Sequence, residues 1–214
     1  MRPLTVLAAV ACLCVDLAGL ELTLDRRAIE EAISVGQSRL ESVRAGFHVL
    51  YRVPVSQAPI DYLEVVTPFR RVELGAEARS RAGGGIFGLT EAQKLLAAAT
   101  DEVWVYVELT FHPLNTMVGM PDYGVTLTAR SVSIEPLGIE RIPRSGPRVE
   151  GLQLPSTPSS GALIPPRGSQ PVTGGTLVAR FAGARLELGV VYDVLVLDGT
   201  KTLGRGKLDL SRMR

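Results

Sequence analysis

His112, Asn115, Asp122 and Tyr123 are the polar side chains of this 214-residue sequence best placed to do chemistry, because one segment, Phe111 to Tyr123, gathers them between two strand-like runs. Loops at one end of a rigid β framework carry recognition residues. In a cleft, His112 and Asp122 would serve as general acid and base, the pairing of a hydrolase or carbohydrate-active enzyme. The same residues suit plainer work: Asn115 and Asp122 bonding their own turns, His112 capping backbone. The second histidine, His48, lies in a separate run, so a two-histidine metal centre would need ligands that the sequence does not group with either ring.

Other chemistries find no residues to carry them. Gly83, Gly85 and Gly88 match the spacing of a dinucleotide loop, yet a helical pattern precedes them and no βαβ unit follows, so they read as a helix terminator and link. No Gly-x-Ser-x-Gly elbow occurs, the serines cluster in loops such as Ser156 to Ser160, and no paired-carboxylate motif stands out. Arg70 and Arg71 read as solvated members of an Arg/Glu-rich surface helix. No metal or cofactor is called for. Lys and Arg number 23 against 22 Asp and Glu, a net of +1, which suggests neither nucleic acid nor an acidic membrane as partner.

Met1, Arg2 and the apolar run Leu4 to Leu13 read as a signal peptide over residues 1–19, too short to span a bilayer. Leu17-Ala18-Gly19 offers a small-residue cleavage site; Ala9-Val10-Ala11 before Cys12 is the alternative, a lipid anchor on Cys12. Both cysteines, Cys12 and Cys14, lie in this leader, so cleavage after Gly19 removes every thiol. A disulfide-free exported chain fits the bacterial periplasm or cell surface, and no later segment is apolar and long enough for a transmembrane span.

These residues need elements to hold them. Residues 20–100 read as an N-terminal α/β segment. Asp25 caps a helix from Arg26 to Arg44; Phe47, Val49, Tyr51 and Val53 alternate as a strand, followed by a second at Tyr62 to Val66. Thr67-Pro68 starts a helix over Phe69 to Arg81, and Thr90 with Gln93 boxes a short one through Ala99. Asp101 to Pro113 (DEVWVYVELTFHP) is the central strand. Val103, Val105, Val107, Leu109 and Phe111 share one face and must be buried against a second layer. The opposite face carries Trp104 and Tyr106, an aromatic platform for sugar or peptide, or rings packed under a covering helix. Tyr123 to Ile134 is a second long strand. Glu135 to Thr173 is rich in Pro, Ser and Gly, with short extended pieces such as Arg148 to Leu154 and a loop over 155–173. Thr176 to Phe181, Val190 to Leu197 and Thr200 to Leu210 complete the strands, with Asp198-Gly199 turning the last hairpin.

The run Leu186 to Val196 (LELGVVYDVLV) resembles the corner before strand F of immunoglobulin-like and fibronectin type III-like sandwiches. That resemblance implies that Tyr192 is buried, its hydroxyl bonded to the preceding loop backbone, with Leu186 beneath the corner. It covers residues 101–214 and implies an antiparallel sandwich. The fold expected is therefore α+β: N-terminal helices with a short strand pair, packed on a C-terminal Ig-like β-sandwich. Fold likeness carries no activity. The function expected is non-catalytic, an exported binding, assembly or envelope-structural role with another envelope protein or peptide as partner, reached through exposed edge strands or the 112–123 loop. His112, Asn115, Asp122, Tyr123 and Trp104 are the candidate contact residues. The alternative is a periplasmic hydrolase or carbohydrate-active enzyme with its site near that loop.

Overall fold

The computed structural model describes residues 20–55, 57–83, 85–145 and 171–214. Three of the four α-helices among the described residues begin where a side chain takes up a free N–H group. Asp25 accepts from the Ala28 N–H (2.7 Å) to open α1 (Arg26–Gly36), and Thr67 accepts from the Arg70 N–H (3.1 Å) to open α3 (Pro68–Arg81), with Pro68 in its first turn. The short helix α4 (Leu89–Ala97) starts one residue before Thr90: the Gly88 N–H donates to Glu91 Oε2 (3.0 Å), and the expected Thr90/Gln93 box is not the cap.

The expected helix Arg26 to Arg44 is two helices. α1 stops at Gly36, where a Cβ would sit 2.2 Å from the Glu73 carbonyl oxygen, so α1 and α3 cross with their backbones nearly touching. The chain then restarts as α2 (Glu41–Tyr51), which takes in the run expected to be a strand. Phe47, Val49 and Tyr51 do alternate, but Arg44, Phe47, His48 and Tyr51 also fall on one helical face, and tertiary packing selects that period. The Phe47 ring lies 5.3 Å from Tyr51 and 5.7 Å from Phe69, while Val49 is left in solvent.

Among the described residues there are nine strands: β1 (Arg52–Pro54), β2 (Ile60–Val66), β3 (Glu102–Thr110), β4 (Tyr123–Ala129), β5 (Val132–Ile134), β6 (Gly138–Arg144), β7 (Gly174–Ala182), β8 (Val191–Asp198) and β9 (Lys201–Asp209). They form two antiparallel sheets, ordered β1-β2-β3-β7-β6 and β5-β4-β8-β9. The architecture is α+β, and the two sheets pack in a sandwich-like arrangement. The strand pair β1–β2 is hydrogen-bonded onto β3 and so extends a sheet of the sandwich, with Glu64 opposite Tyr106 and Val66 opposite Trp104. Val103, Val105, Val107 and Leu109 point inward and share one core with Val125, Leu127, Val194, Val196 and Leu208 of the other sheet. Full burial of each such side chain is worth roughly 1.5–3 kcal/mol. The outer face of the five-stranded sheet is roofed by helices: Leu74 of α3 packs on Val66, Tyr106 and Val178.

Three further differences concern connections. The strand expected over Tyr123 to Ile134 folds back at Arg130 and Ser131, both left-handed (φ 48° and 67°), so that Ala129 pairs with Val132. A seven-residue strand, β6, occupies a stretch expected to hold only short extended pieces; its partner β7 supplies the pairing that local sequence could not announce. The turn before β9 is Gly199-Thr200, with Gly199 at φ 57° and Asp198 opposite Lys201. The piece Arg148 to Leu154 and loop residues 155–170 lie outside the described residues, as does the leader. Tyr192 is buried, and its hydroxyl accepts from the Glu187 N–H at 2.6 Å.

Candidate functional site

The end of the sandwich reached by β3 and β4 carries a hollow of about 510 Å³, walled in part by Pro59, Phe111, His112, Leu114, Met117 and Tyr123. Such a volume lies in the range of small-ligand and side-chain pockets. Its rim is apolar and uncovered: Leu114 is 82% exposed, and Met117 and the neighbouring Val118 are also exposed. Asn115 fixes the loop that holds them, its Nδ2 donating to the Val172 carbonyl (2.8 Å) and its Oδ1 accepting from the Met117 N–H (3.2 Å). Tyr123 is buried in the core beneath, with burial and then Asp198 raising its phenol pKa, and its hydroxyl has no hydrogen-bond partner among the described residues.

Of the five candidate contact residues, three come together here: His112, Asn115 and Tyr123 line the hollow. Asp122 does not. Its carboxylate is 95% exposed and paired with Arg141 outside the hollow. Exposed His112 spends Nδ1 accepting from the Leu114 N–H (3.2 Å), a turn contact. Trp104 stands apart, about 26 Å along the strand from His112 at 3.3 Å per residue. Its indole N–H donates to Glu102 (2.7 Å), and its ring lies under the Arg71 guanidinium (4.2 Å) and is stacked with Tyr106.

A second concentration of polar groups went unread in the sequence. Arg70 and Arg71, expected on a solvated helix face, are fully buried, as are Glu64 and Glu73. α3 is wrapped by α1, α2, α4 and the sheet, so even its charged positions are enclosed. Arg70 is the hub: it donates Nε (3.0 Å) and Nη2 (2.5 Å) to Glu64 Oε1, Nη1 to Glu73, and Nη2 (2.5 Å) to His48 Nδ1. Arg71 donates to the Ala99 (2.7 Å) and Glu102 (2.9 Å) carbonyls. Glu77 receives His48 Nε2 (3.1 Å), Arg44 (3.3 Å) and Arg81 (2.7 Å). Burial raises the Glu73 carboxyl pKa against the pull of Arg70, whereas for Glu77 the desolvation is outweighed by His48 and Arg81, and its pKa is lowered. The legible signal was Glu64, a charge set among the apolar residues Leu63, Val65 and Val66, six residues before an arginine.

His48, Glu73 and Glu77 bring three possible ligand atoms within 4.8 Å of one another, close enough to hold a metal ion. The donor set does not fit one. Arg70 can only donate, so His48 Nδ1 is an acceptor and Nε2 carries the proton that Glu77 receives, leaving no ring lone pair for a cation. Arg44, Arg70 and Arg81 already neutralise the carboxylates. The cluster is a structural tie between α2, α3 and β2. Compared with known proteins, the chain matches no protein-family model, no curated protein and no solved structure.

Proposed function

We propose that this chain is an exported, non-catalytic binding or assembly protein of the bacterial envelope, built on an immunoglobulin-like sandwich that presents its 111–123 loop to a protein or peptide partner. The observation that carries the reading is the uncovered apolar rim of Leu114, Met117 and Val118 around a hollow braced by Asn115, on a loop between two long strands. Exposed apolar side chains gathered at one site mark interaction surfaces, and loops at the end of a sandwich are where such folds carry them. The Tyr192 corner supports the immunoglobulin-like reading, and the leader Leu4 to Leu13 supports export. A periplasmic hydrolase draws less support: His112 faces solvent on a turn, and Asp122, its would-be partner, is paired with Arg141.

The test is cross-linking and pull-down from envelope extracts with the wild-type chain and a Leu114→Asp/Val118→Asp variant. Both side chains are largely exposed, so the variant should melt within about 0.5 kcal/mol of wild type, yet lose a partner that the wild type captures. Capture of the same partners by both chains, or of none by either, overturns the reading. Mass spectrometry of the mature N-terminus separates release at Leu20 from acylation at Cys12.

A further inference from the structure

Among the described residues the sandwich has four edges, and three are blunted. β1 and β5 are three residues long; β6 contains Pro143, which has no N–H to offer, and its Arg141 and Arg144 fold back onto the Tyr123 and Leu109 carbonyls. β9 differs. Pairing steps from Val196–Gly204 to Leu197–Thr202, so Leu203 is a bulge and the regular edge runs from Gly204 to Asp209, six residues without proline. Among the described residues no backbone group outside β8 pairs with this edge.

Its two faces specify what it would accept. The inner face shows Gly204 and Gly206, bare because a Cβ there would come within 2.4 Å of Ile60 and 2.7 Å of Leu63; Val53 and Val55 lie beside them. The outer face shows exposed Arg205 and Lys207. Arg205 has no ion pair among the described residues, nor does Lys201 at the strand's start; Lys207 reaches Asp193 at 3.4 Å with most of its side chain in solvent. A second copy is disfavoured: antiparallel self-pairing centred on Gly206 would set Arg205 opposite Lys207 of the other chain, like charges directly opposed.

We infer that β9 is the acceptor for an extended acidic segment of a partner protein. That segment adds to the four-stranded sheet with alternate carboxylates over Arg205 and Lys207 and small apolar side chains beside the half-buried Val53. This surface is separate from the 111–123 loop, so either reading can fail alone.

The probes are two capped heptapeptides, one alternating Glu with Val and the other Lys with Val, added to the whole purified chain and read by amide hydrogen exchange and calorimetry. The acidic peptide should slow exchange within residues 204–209 and bind at least about fivefold more tightly than the basic one, as two opposite-charge cross-strand pairs allow. An Arg205→Glu/Lys207→Glu variant, with unchanged melting, should reverse the preference. The inference is overturned by equal affinities, by protection elsewhere, by no protection from the acidic peptide at about 1 mM, or by a β9-mediated dimer of the free chain.

Discussion

Replacing Arg70 with Met removes the one cation that Glu64, Glu73 and His48 all face. Glu64 keeps Arg52 (3.2 Å), but Glu73, fully buried, loses the guanidinium that holds one of its oxygens, while its other oxygen already has no partner among the described residues. Stranding a buried charge costs about 3–5 kcal/mol. For a domain of this size, each kcal/mol lowers Tm by about 2–4 °C, so R70M should melt about 6–20 °C lower at neutral pH. The loss depends on pH with a definite sign. The Glu73 pKa is already raised by burial and rises further without Arg70, so its destabilisation is present above that pKa and relieved as pH falls through it. In the wild type, the lowered pKa of Glu77 means that its contribution, present above the ordinary carboxylate range, is lost on acidification. The two melting curves, followed by circular dichroism or calorimetry, should therefore converge as pH drops from neutral toward the carboxylate range. A Glu73→Leu change added to R70M should recover stability, since it removes the stranded charge. A single variant within about 2 °C of wild type, a gap that stays constant with pH, or a double variant less stable than R70M would refute the reasoning.

Tyr192→Phe leaves the Glu187 N–H without its acceptor and should cost about 1–3 kcal/mol in denaturant unfolding, with the sandwich retained. Tyr106→Phe should be neutral or stabilising by the same measure, because its buried hydroxyl has no partner among the described residues and burial raises its pKa; a loss above about 1 kcal/mol would mean that the hydroxyl is bonded after all. Gly36→Ala should cost about 1–3 kcal/mol or more by forcing α1 off α3, seen as faster exchange of both helices; unchanged protection would contradict the close crossing.

Sequence alone determined those features whose cause is local. Period-two alternation set the inward face of β3, Thr67-Pro68 set the start of α3, and the resemblance of Leu186 to Val196 to the corner of immunoglobulin-like sandwiches implied a Tyr192 hydroxyl bond, which is found at 2.6 Å. The polar cluster of the 111–123 segment was legible because its residues lie close together in sequence, and three of the four line one hollow. Tertiary structure decided the rest. Phe47 to Tyr51 suits either period until Phe69 supplies a surface that only the helical one can meet. β6 exists because β7 offers it a ladder. Asp122 was drawn away by Arg141, and Trp104 was roofed by Arg71, both partners remote in the chain. Arg70 and Glu73 look like solvent-facing charges in any local window. Their burial follows only when α1, α2 and the sheet close around α3, because desolvating a charge is tolerable only where partners from other elements arrive at the same place.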